Sequence, residues 1–446
     1  MTPVTEHVTE PEAPPRAPHP LRAEWVRGFA PWAGAAVLLT VGVALWAKAD
    51  QWQGGWSETA GQTHSTMLIT LPLAAAAGCW QGGRERRRRT EELWGTTVRP
   101  PLTRLLVAAL PVAVWVAVSY LLTVASAQLA TWPYAQGDRP RLTLVPGDTV
   151  AVAAGALLGH VVGRAVPTRL AAPLLAMAGY VGLGIVTTGR SASGRALSPT
   201  ISPPHGLPVW WQPWAMAVWT GGLAVAAALA YAARRRVTAL LPLAAAVAAG
   251  TLLAQTGNGL WHADPVARHQ VCDTSTTPAV CVNARYAGML PQVRKALSGV
   301  TGKLEGVRNL PVRWADHGGA PRAGEAPLPG ITPLGWSAVR GRLTDPEQFA
   351  WEAVTALEGY DCPERTPTAR ELRADDAVEY YLAPTSARKA IDEAGARGDT
   401  ARRAELRERR AARAKLAGMD GQARRAWLSA YFAAHADCAA EGVPAL

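Results

Sequence analysis

Two apolar segments separated by a dense basic cluster constrain this chain more than any other feature. Residues 67–80 and 105–127 carry no charge, and between them five arginines occupy six positions, namely Arg84 and Arg86–Arg89. An arginine at the centre of a bilayer costs about 3 kcal/mol even on the lenient insertion scale. The cluster therefore lies outside the hydrocarbon, and the positive-inside bias predicts that it marks the cytoplasmic side of a membrane.

The same apolar character extends over residues 29–256, whereas residues 257–446 are polar, so the mean hydropathy of +0.03 conceals two different regions. We predict a mainly α fold, in which a polytopic membrane bundle of about seven transmembrane helices precedes a small, mostly helical, disulfide-bonded extracytoplasmic domain. The predicted spans are residues 29–47, 65–82, 105–129, 148–166, 170–187, 213–233 and 237–256.

This pattern predicts three parts of the chain. Residues 1–24 are rich in Pro, Glu and Thr and are expected to be a disordered cytoplasmic N-terminus, without a cleavable signal peptide. Residues 25–256 form the transmembrane domain, with a cytoplasmic loop at 83–104 and an extracytoplasmic turn at 48–63. An odd number of spans from a cytoplasmic N-terminus leaves residues 257–446 outside a multi-pass protein of the plasma membrane.

The cysteines support an extracytoplasmic location for the polar region. Cys79 falls in the second span, and the other four follow the last span, at Cys272, Cys281, Cys362 and Cys438. An even set in one region favours disulfides, which persist in an oxidising compartment. Of the three pairings we favour Cys272–Cys281 with Cys362–Cys438. A metal site is the weaker alternative, because there is no C-x-x-C and the histidines lack ligand spacing.

Small and polar residues within the spans are candidates for packing and function. Gly155, Gly159 and Gly163 recur every four positions, which leaves one helix face flat enough for a neighbouring backbone to approach closely. Ordinary packing between spans is the simpler interpretation, and a dimer seam is the alternative. His160 and Tyr180 are the ionisable residues of the middle spans; His160 is either a satisfied interface residue or a functional group.

Catalytic motifs are missing from the sequence. It contains no H-E-x-x-H, no G-x-S-x-G and no Walker A motif, so we expect no enzyme activity, cofactor or metal in this chain. Neighbouring carboxylates such as Asp375 and Asp376 are typical of protein surfaces. The net charge of +11 is attributed to cytoplasmic arginines and a charged helix at 385–416, so no nucleic-acid partner is expected.

The polar region is expected to contain several short elements. The apolar spacing predicts helices at 284–305, 345–357, 371–382 and 421–438, and a short strand at 310–315. Asp345 before Pro346 has the pattern of a helix N-cap, and Gly395 and Gly398 predict a break in the helix at 385–416.

The basic segment GRERRRRTEELWGTTVRPPLTR at 83–104 resembles the coupling loop of type-2 ATP-binding-cassette (ABC) permeases, most of all the actinobacterial versions. The matching residues are Arg88, Arg89, Thr90, Glu91, Glu92, Leu93, Thr96 and Thr97. The family's proline comes two residues late, at Pro100, and its glycine before the threonine is replaced by Arg89. Residues 271–293 are similar to the outer domain of some such permeases, with Asn283 in place of a histidine.

The resemblance implies the permease subunit of an exporter, whose partner is a separate ABC ATPase subunit. In that family the loop transmits ATP-driven movement, and Leu93 and Trp94 would be its apolar anchors on the partner. Spans without buried charges favour a hydrophobic or amphiphilic substrate over a small ion. The lipid bilayer and a second copy or second permease are the other expected partners.

Three alternatives remain open at this stage. The arginine-rich loop is also what a simple stop-transfer anchor needs. The chain is alternatively a polytopic sensor or receptor whose extracytoplasmic domain binds a ligand or partner. A membrane-embedded enzyme would need convergent polar residues inside the spans, for which only His160 and Tyr180 are available.

Overall fold

The computed structural model describes residues 25–88, 100–166, 168–201, 206–316, 322–331, 338–358, 367–436 and 442–446. The predicted disordered N-terminus lies outside these residues, and the described chain is mainly α, as predicted. The helices of the apolar region are α1 (Ala30–Trp46), α2 (Ala49–Trp52), α3 (Trp56–Ser65), α4 (Met67–Gly82), α5 (Arg84–Arg87), α6 (Pro101–Thr131), α7 (Val145–Ala165), α8 (Ala171–Thr188), α9 (Ala192–Ala196), α10 (Gln212–Ala232) and α11 (Leu240–Thr256).

Five of the described helical segments are long and apolar enough to cross a membrane. They are Pro101–Thr131, Val145–Ala165, Ala171–Thr188, Gln212–Ala232 and the segment Arg236–Leu260, which joins α11 to short 3₁₀ turns at both ends. Helix α1 is apolar but has 17 residues, and α4 has 16. A helix therefore occupies each of the seven predicted spans, and five of them have the length and composition of a membrane crossing.

The segment between α1 and α4 differs from the prediction. Residues 48–63 were expected to be an extracytoplasmic turn, but α2 and most of α3 lie there, and Trp52 and Trp56 are buried. The hydroxyl of Thr59 bonds that of Thr131 on α6 at 2.6 Å, and the indole of Trp52 donates to the carbonyl of Leu45 at 2.9 Å. These hydrogen bonds satisfy polar groups inside the folded chain. The polar sequence of residues 48–63, taken alone, would place the same groups in solvent.

The core of the apolar region forms where α1, α4, α6 and α7 meet. Helix α1 packs along α6, and α4 packs along α7, while α10 lies between α7 and α11. The buried side chains of this core are mostly alanine and valine, with Trp52, Tyr120 and Met67 as its largest members. Helices α8 and α11 are largely exposed, as expected for apolar helices that face lipid.

The polar region is a mixed α and β domain. Its helices are α12 (Leu290–Lys303), α13 (Pro346–Thr355), α14 (Ala369–Leu382), α15 (Ser386–Ala396), α16 (Thr400–Gly418) and α17 (Gly421–Ala436). Its strands are β3 (Gln270–Asp273), β4 (Ala279–Asn283), β5 (Arg313–Ala315), β6 (Glu325–Pro327), β7 (Ala338–Val339) and β8 (Arg342–Leu343), after β1 (Gly206–Pro208) and β2 (Trp261–Ala263).

The strands form three small sheets. In the largest, with order β3-β4-β5-β6, β3 and β4 are antiparallel, and β4, β5 and β6 are parallel to one another. Strands β1 and β2 pair antiparallel and tie the segment before α10 to the segment after α11. Only β5 coincides with a predicted strand, because runs of two to five residues give little periodicity to detect.

Helix boundaries in the polar domain agree closely with local capping signals. The Asp345 carboxylate accepts from the Gln348 backbone N–H at 2.9 Å, which confirms the predicted N-cap of α13. The predicted break near Gly395 and Gly398 separates α15 from α16. One continuous apolar core connects the sheet to α12, α13, α14, α16 and α17, and its buried aromatic members are Tyr286, Trp314, Phe349, Tyr431 and Phe432.

Candidate functional site

A cavity of about 220 Å³ lies where the apolar helices meet the polar domain. Residues from α3, α6, α7, β1 and the loop after α6 form its wall. We call it the polar cavity, and the lining residues that matter for its chemistry are Glu58, His64, Tyr120, Arg141, Asp148 and Leu207.

A buried hydrogen-bonded group forms one wall of the polar cavity. The Asp148 Oδ2 atom lies 3.0 Å from His64 Nδ1 and accepts a hydrogen bond from the Tyr120 hydroxyl at 2.8 Å. All three side chains are less than 5% exposed. A carboxylate in such surroundings is stable only when it is paired and hydrogen-bonded, which His64 and Tyr120 provide together.

Helix ends place both members of the ion pair. His64 lies in the last turn of α3, where the partial negative charge of the helix terminus favours a cation. Asp148 lies in the first turn of α7, where the partial positive charge favours a carboxylate. A proline near the start of α7 begins that helix without needing a backbone donor.

The ionisation of His64 depends on its partner. Burial alone lowers the pKa of the imidazole, but the charge and hydrogen bond of Asp148 together with the Ile201 backbone raise it by more. The net direction is upward, so the protonated form of His64 is favoured while it faces Asp148. The contact with Asp148 therefore stabilises a proton on His64.

The polar domain contacts the polar cavity through one of its lining residues, Glu58. Tyr286, which follows β4, donates its hydroxyl to the carboxylate of Glu58 on α3. Burial and the Glu58 charge raise the pKa of Tyr286, so this hydroxyl remains a donor. Arg141 forms ion pairs with both Asp138 and Asp264, which joins the loop after α6 to the segment after β2.

Helices α4 and α7 run parallel and are in contact along their whole length. Leu71, Ala75 and Cys79 of α4 face Gly155, Gly159 and Gly163 of α7, in that order. A Cβ atom added at Gly159 or Gly163 would overlap a carbonyl oxygen of α4, and Gly78 and Gly82 of α4 are equally close to α7. All three predicted packing glycines thus lie on a seam within this chain, although Gly155 has slightly more room.

The basic segment is attached to the other end of the same helix pair. The Arg164 guanidinium at the end of α7 donates to both carboxylate oxygens of Glu85, at 3.1 and 2.9 Å. Arg86 in turn donates to the Arg164 carbonyl at 3.0 Å. The helix pair α4–α7 therefore has a polar contact at each end: His64 with Asp148 at one, and α5 with Arg164 at the other.

Most of the predicted coupling residues lie outside the described part of the chain. Arg88 is described and exposed, directly after α5. Arg89, Thr90, Glu91, Glu92, Leu93, Trp94 and Thr96 are not among the described residues. Their predicted role remains a prediction.

The two ionisable residues singled out in the middle spans differ sharply. His160 is 1% exposed, and neither ring nitrogen has a hydrogen-bond partner among the described residues. Tyr180 is half exposed on α8. Neither residue lines the polar cavity. The expectation that the spans contain no buried charge was wrong, because Asp148 is buried at the start of α7.

Sequence patterns missed the central residues of the cavity for an identifiable reason. Glu58 was placed in the extracytoplasmic turn at 48–63, His64 fell between that turn and the next span, and Asp148 was taken as the first residue of a span. Ionisable residues at span edges normally face water. The available signal was that Glu58 and His64 lie between two apolar runs, within a segment that contains Trp52 and Trp56.

The cysteines and the carboxylates of the polar domain are the remaining candidate ligands. Cys272 and Cys281 form a disulfide across β3 and β4, as predicted, and Cys79 is a buried free thiol. Cys362 and Cys438 lie outside the described residues. Glu371, Asp375 and His435 bring ligand-type atoms within 4.8 Å of one another, but Glu371 also caps α14 and Asp375 accepts from Tyr431.

Asp376 has a structural partner. Its carboxylate forms a bidentate pair with Arg413, whose guanidinium also contacts Asp392. This buried network connects α14, α15 and α16, which accounts for Asp376 without a catalytic role.

Comparisons with family models, with curated proteins and with solved structures gave no match for this chain.

Proposed function

We propose that this chain is the membrane-spanning permease subunit of an ABC exporter, driven by a separate ATPase subunit. The observation that carries the proposal is the attachment of α5 to the end of α7 through Glu85, Arg86 and Arg164. Helix α5 opens the segment that resembles an ABC coupling loop. A coupling loop needs such a fixed connection to the spans, because a mobile tether would not transmit force.

The helix pair α4–α7 offers a route for that force. Its backbones are in contact at Gly78, Gly159 and Gly163, so the two helices move as one unit. A displacement of α5 would shift the far end of this unit, where His64 and Asp148 line the polar cavity. Rigid-body movement of this kind is how alternating access is achieved without covalent chemistry in the membrane subunit.

The orientation in the membrane belongs to the same proposal. Seven crossings, including α1 and α4, place the arginine-rich segment and the N-terminus in the cytoplasm and the polar domain outside the plasma membrane. The clusters of arginine at 84–89 and 234–236 agree with this arrangement under the positive-inside bias. The disulfide between Cys272 and Cys281 agrees with an oxidising exterior.

A polytopic sensor is the second candidate, and one contact favours it. Tyr286 of the polar domain bonds Glu58 inside the polar cavity, so a ligand bound to that domain would act directly on the apolar helices. This function needs no ATPase partner. A permease should therefore bind an ATPase at the arginine end of the helix pair, and a sensor should not.

Co-purification tests the choice between them. Tagged full-length protein would be isolated in mild detergent and its partners identified by mass spectrometry, alongside the double variant Glu91→Arg with Leu93→Asp. The matched control carries Glu393→Arg with Leu372→Asp, which makes the same chemical changes at exposed positions of the polar domain.

We expect an ABC ATPase with the native protein and the control, and its loss from the loop variant. Recovery of folded native protein without any ATPase would refute the permease proposal and favour the sensor. An ATPase retained by the loop variant would refute the assignment of the coupling residues.

A further inference from the structure

We propose that the polar cavity is a binding site for a protonated amino group carried on a side-chain-sized stem, with Asp148 as its counter-ion. The buried polar side chains of Glu58, His64, Tyr120 and Asp148 line this cavity together. The idea that this cavity holds the transported substrate rests on the permease function proposed above. Binding of an amine in the cavity does not depend on that function.

Asp148 can pair with an added cation when His64 is neutral. Among the described residues His64 is the one cationic group paired with this carboxylate, and the Tyr120 hydroxyl is neutral. A neutral His64 would leave the buried charge of Asp148 uncompensated, which an incoming ammonium group would correct. A second carboxylate, Glu58, lines the same cavity.

The remaining polar groups near the pair do not favour an anion. Arg141 lines the cavity, but Asp138 and Asp264 already engage its charge. A separate void of about 10 Å³ beside His64 and Asp148 touches Gln212, whose buried Oε1 has no hydrogen-bond partner among the described residues, so this position presents an acceptor and not an anion site.

The size and lining of the cavity limit the ligand. Its volume of about 220 Å³ is below the range of about 300 to 1,000 Å³ that is usual for drug-sized molecules. Leu144, Val145 and Leu207 supply an apolar wall beside the carboxylates. The cavity therefore fits one amine on a short aliphatic stem, such as a single residue of a peptide or the head of an amphiphile.

His64 makes this binding dependent on pH. Asp148 from α7 contacts it directly, and the other titratable groups that line the cavity with it are Tyr120 from α6, Glu58 from its own helix and Arg141 from the loop after α6. A protonated His64 already neutralises Asp148, so an amine has to displace that proton. Amine binding should therefore release a proton and strengthen as the pH rises through the pKa of His64.

The test uses full-length protein in lipid nanodiscs, without an ATPase partner, and 1,5-diaminopentane as the probe. Isothermal titration calorimetry would be run at about pH 6 and about pH 8. Buffers of different ionisation enthalpy would allow the number of released protons to be counted. The neutral comparison compound is 1-pentanol. The variants are Asp148→Asn and His64→Gln, and Glu393→Gln is the matched control on an exposed helix face.

We expect saturable diamine binding that is tighter near pH 8 than near pH 6, with proton release that is larger in the more acidic buffer. Asp148→Asn should weaken binding at least about tenfold, and His64→Gln should remove the pH dependence. Pentanol should not compete. Glu393→Gln should bind like the native chain.

Three results would overturn the proposal: no diamine binding to native protein, equal binding of pentanol, or unchanged binding by folded Asp148→Asn. If Asp148→Asn does not fold, the proton count on native protein decides, because binding elsewhere on the surface would not displace the His64 proton. These outcomes are independent of the ATPase co-purification, so failure of this site and failure of the permease function are distinguishable.

Discussion

The apolar helices and the polar domain reach buried cores by opposite means. In the helix pair α4–α7, glycine and alanine bring two backbones into contact, and polar bonds occur at the two ends. In the polar domain, large side chains such as Trp314 and Phe349 fill one core, and an ion-pair network crosses it at Arg413. The difference follows from solvent, because lipid supplies no hydrophobic force between apolar helices and leaves close packing to hold them together.

Arg413→Met should produce the largest loss of stability in the polar domain. Arg413 is 7% exposed and holds Asp376 at 2.7 and 2.8 Å. Its removal takes the cationic partner from the buried Asp392 and leaves Asp376 with the longer contacts to Arg388 and Arg409, at 3.2 and 3.6 Å. We expect the free energy of unfolding to fall by about 3 to 5 kcal/mol. Thermal and denaturant unfolding of the full chain in nanodiscs would measure it.

The control for this variant is Arg407→Met on the exposed face of the same helix. A loss of stability no larger than that of the control would show that the buried network does not support the core.

Gly159→Leu tests the close packing of the apolar helices. Its side chain would collide with the Ala75 carbonyl of α4, so the helices must separate. Overpacking of this kind costs about 3 kcal/mol or more. The yield of folded protein in the membrane and its unfolding temperature would report the effect.

Gly182→Leu is the matched control, since a Cβ atom at Gly182 meets nothing within 4 Å. If both leucine variants are equally stable, contact between the two backbones is not what holds the helix pair together.

Glu358→Gln should alter how the stability of the polar domain depends on pH. Burial and the nearby carboxylates of Glu379 and Asp375 raise the pKa of Glu358 well above its ordinary value of 4.5. A raised carboxyl pKa means that the native state retains the proton on Glu358 more strongly than the unfolded state does. The protonated carboxyl group therefore stabilises the native state fully below about pH 4.5, and this contribution is lost as the pH rises through the higher pKa of the folded protein. The glutamine variant should match native protein in acid and exceed it in stability at alkaline pH.

The measurement is a series of unfolding temperatures across this pH range, with Glu393→Gln as the exposed control. Parallel pH profiles for native protein and Glu358→Gln would contradict the predicted proton retention.

Glu85→Gln should have the smallest effect. The pair formed by Glu85 and Arg164 is about one-fifth exposed, and such ion pairs contribute about 1 kcal/mol or less. Stability should hardly change, while an ATPase partner, if present, should couple less efficiently to the spans. ATP hydrolysis with reconstituted partner would separate these two readouts.

Local sequence signals predicted the elements that depend on neighbours along the chain. Each predicted span contains a helix, because a long uncharged run can satisfy its backbone only internally. Asp345 and the Gly395–Gly398 break were correct for the same reason, since capping is local. The short strands were mostly missed, because their pairing partners are distant in sequence.

The polar cavity could not have been predicted from one segment. Glu58, Tyr120, Asp148 and Tyr286 come from separate elements, and each by itself resembles an ordinary interface or surface residue. What makes them a site is burial beside one another, which local periodicity does not encode.

The sequence by itself therefore determined the division into an apolar helical region and a polar domain, the approximate span positions, and the arginine-rich segment that interrupts them. Hydrophobic length and charge are properties of a segment, so they need no partner. Only the tertiary structure decided that α4 and α7 run in parallel contact, that His64 reaches Asp148, and that Tyr286 bonds Glu58. Those features depend on which helix faces contact one another, and the packing of the whole chain determines those contacts.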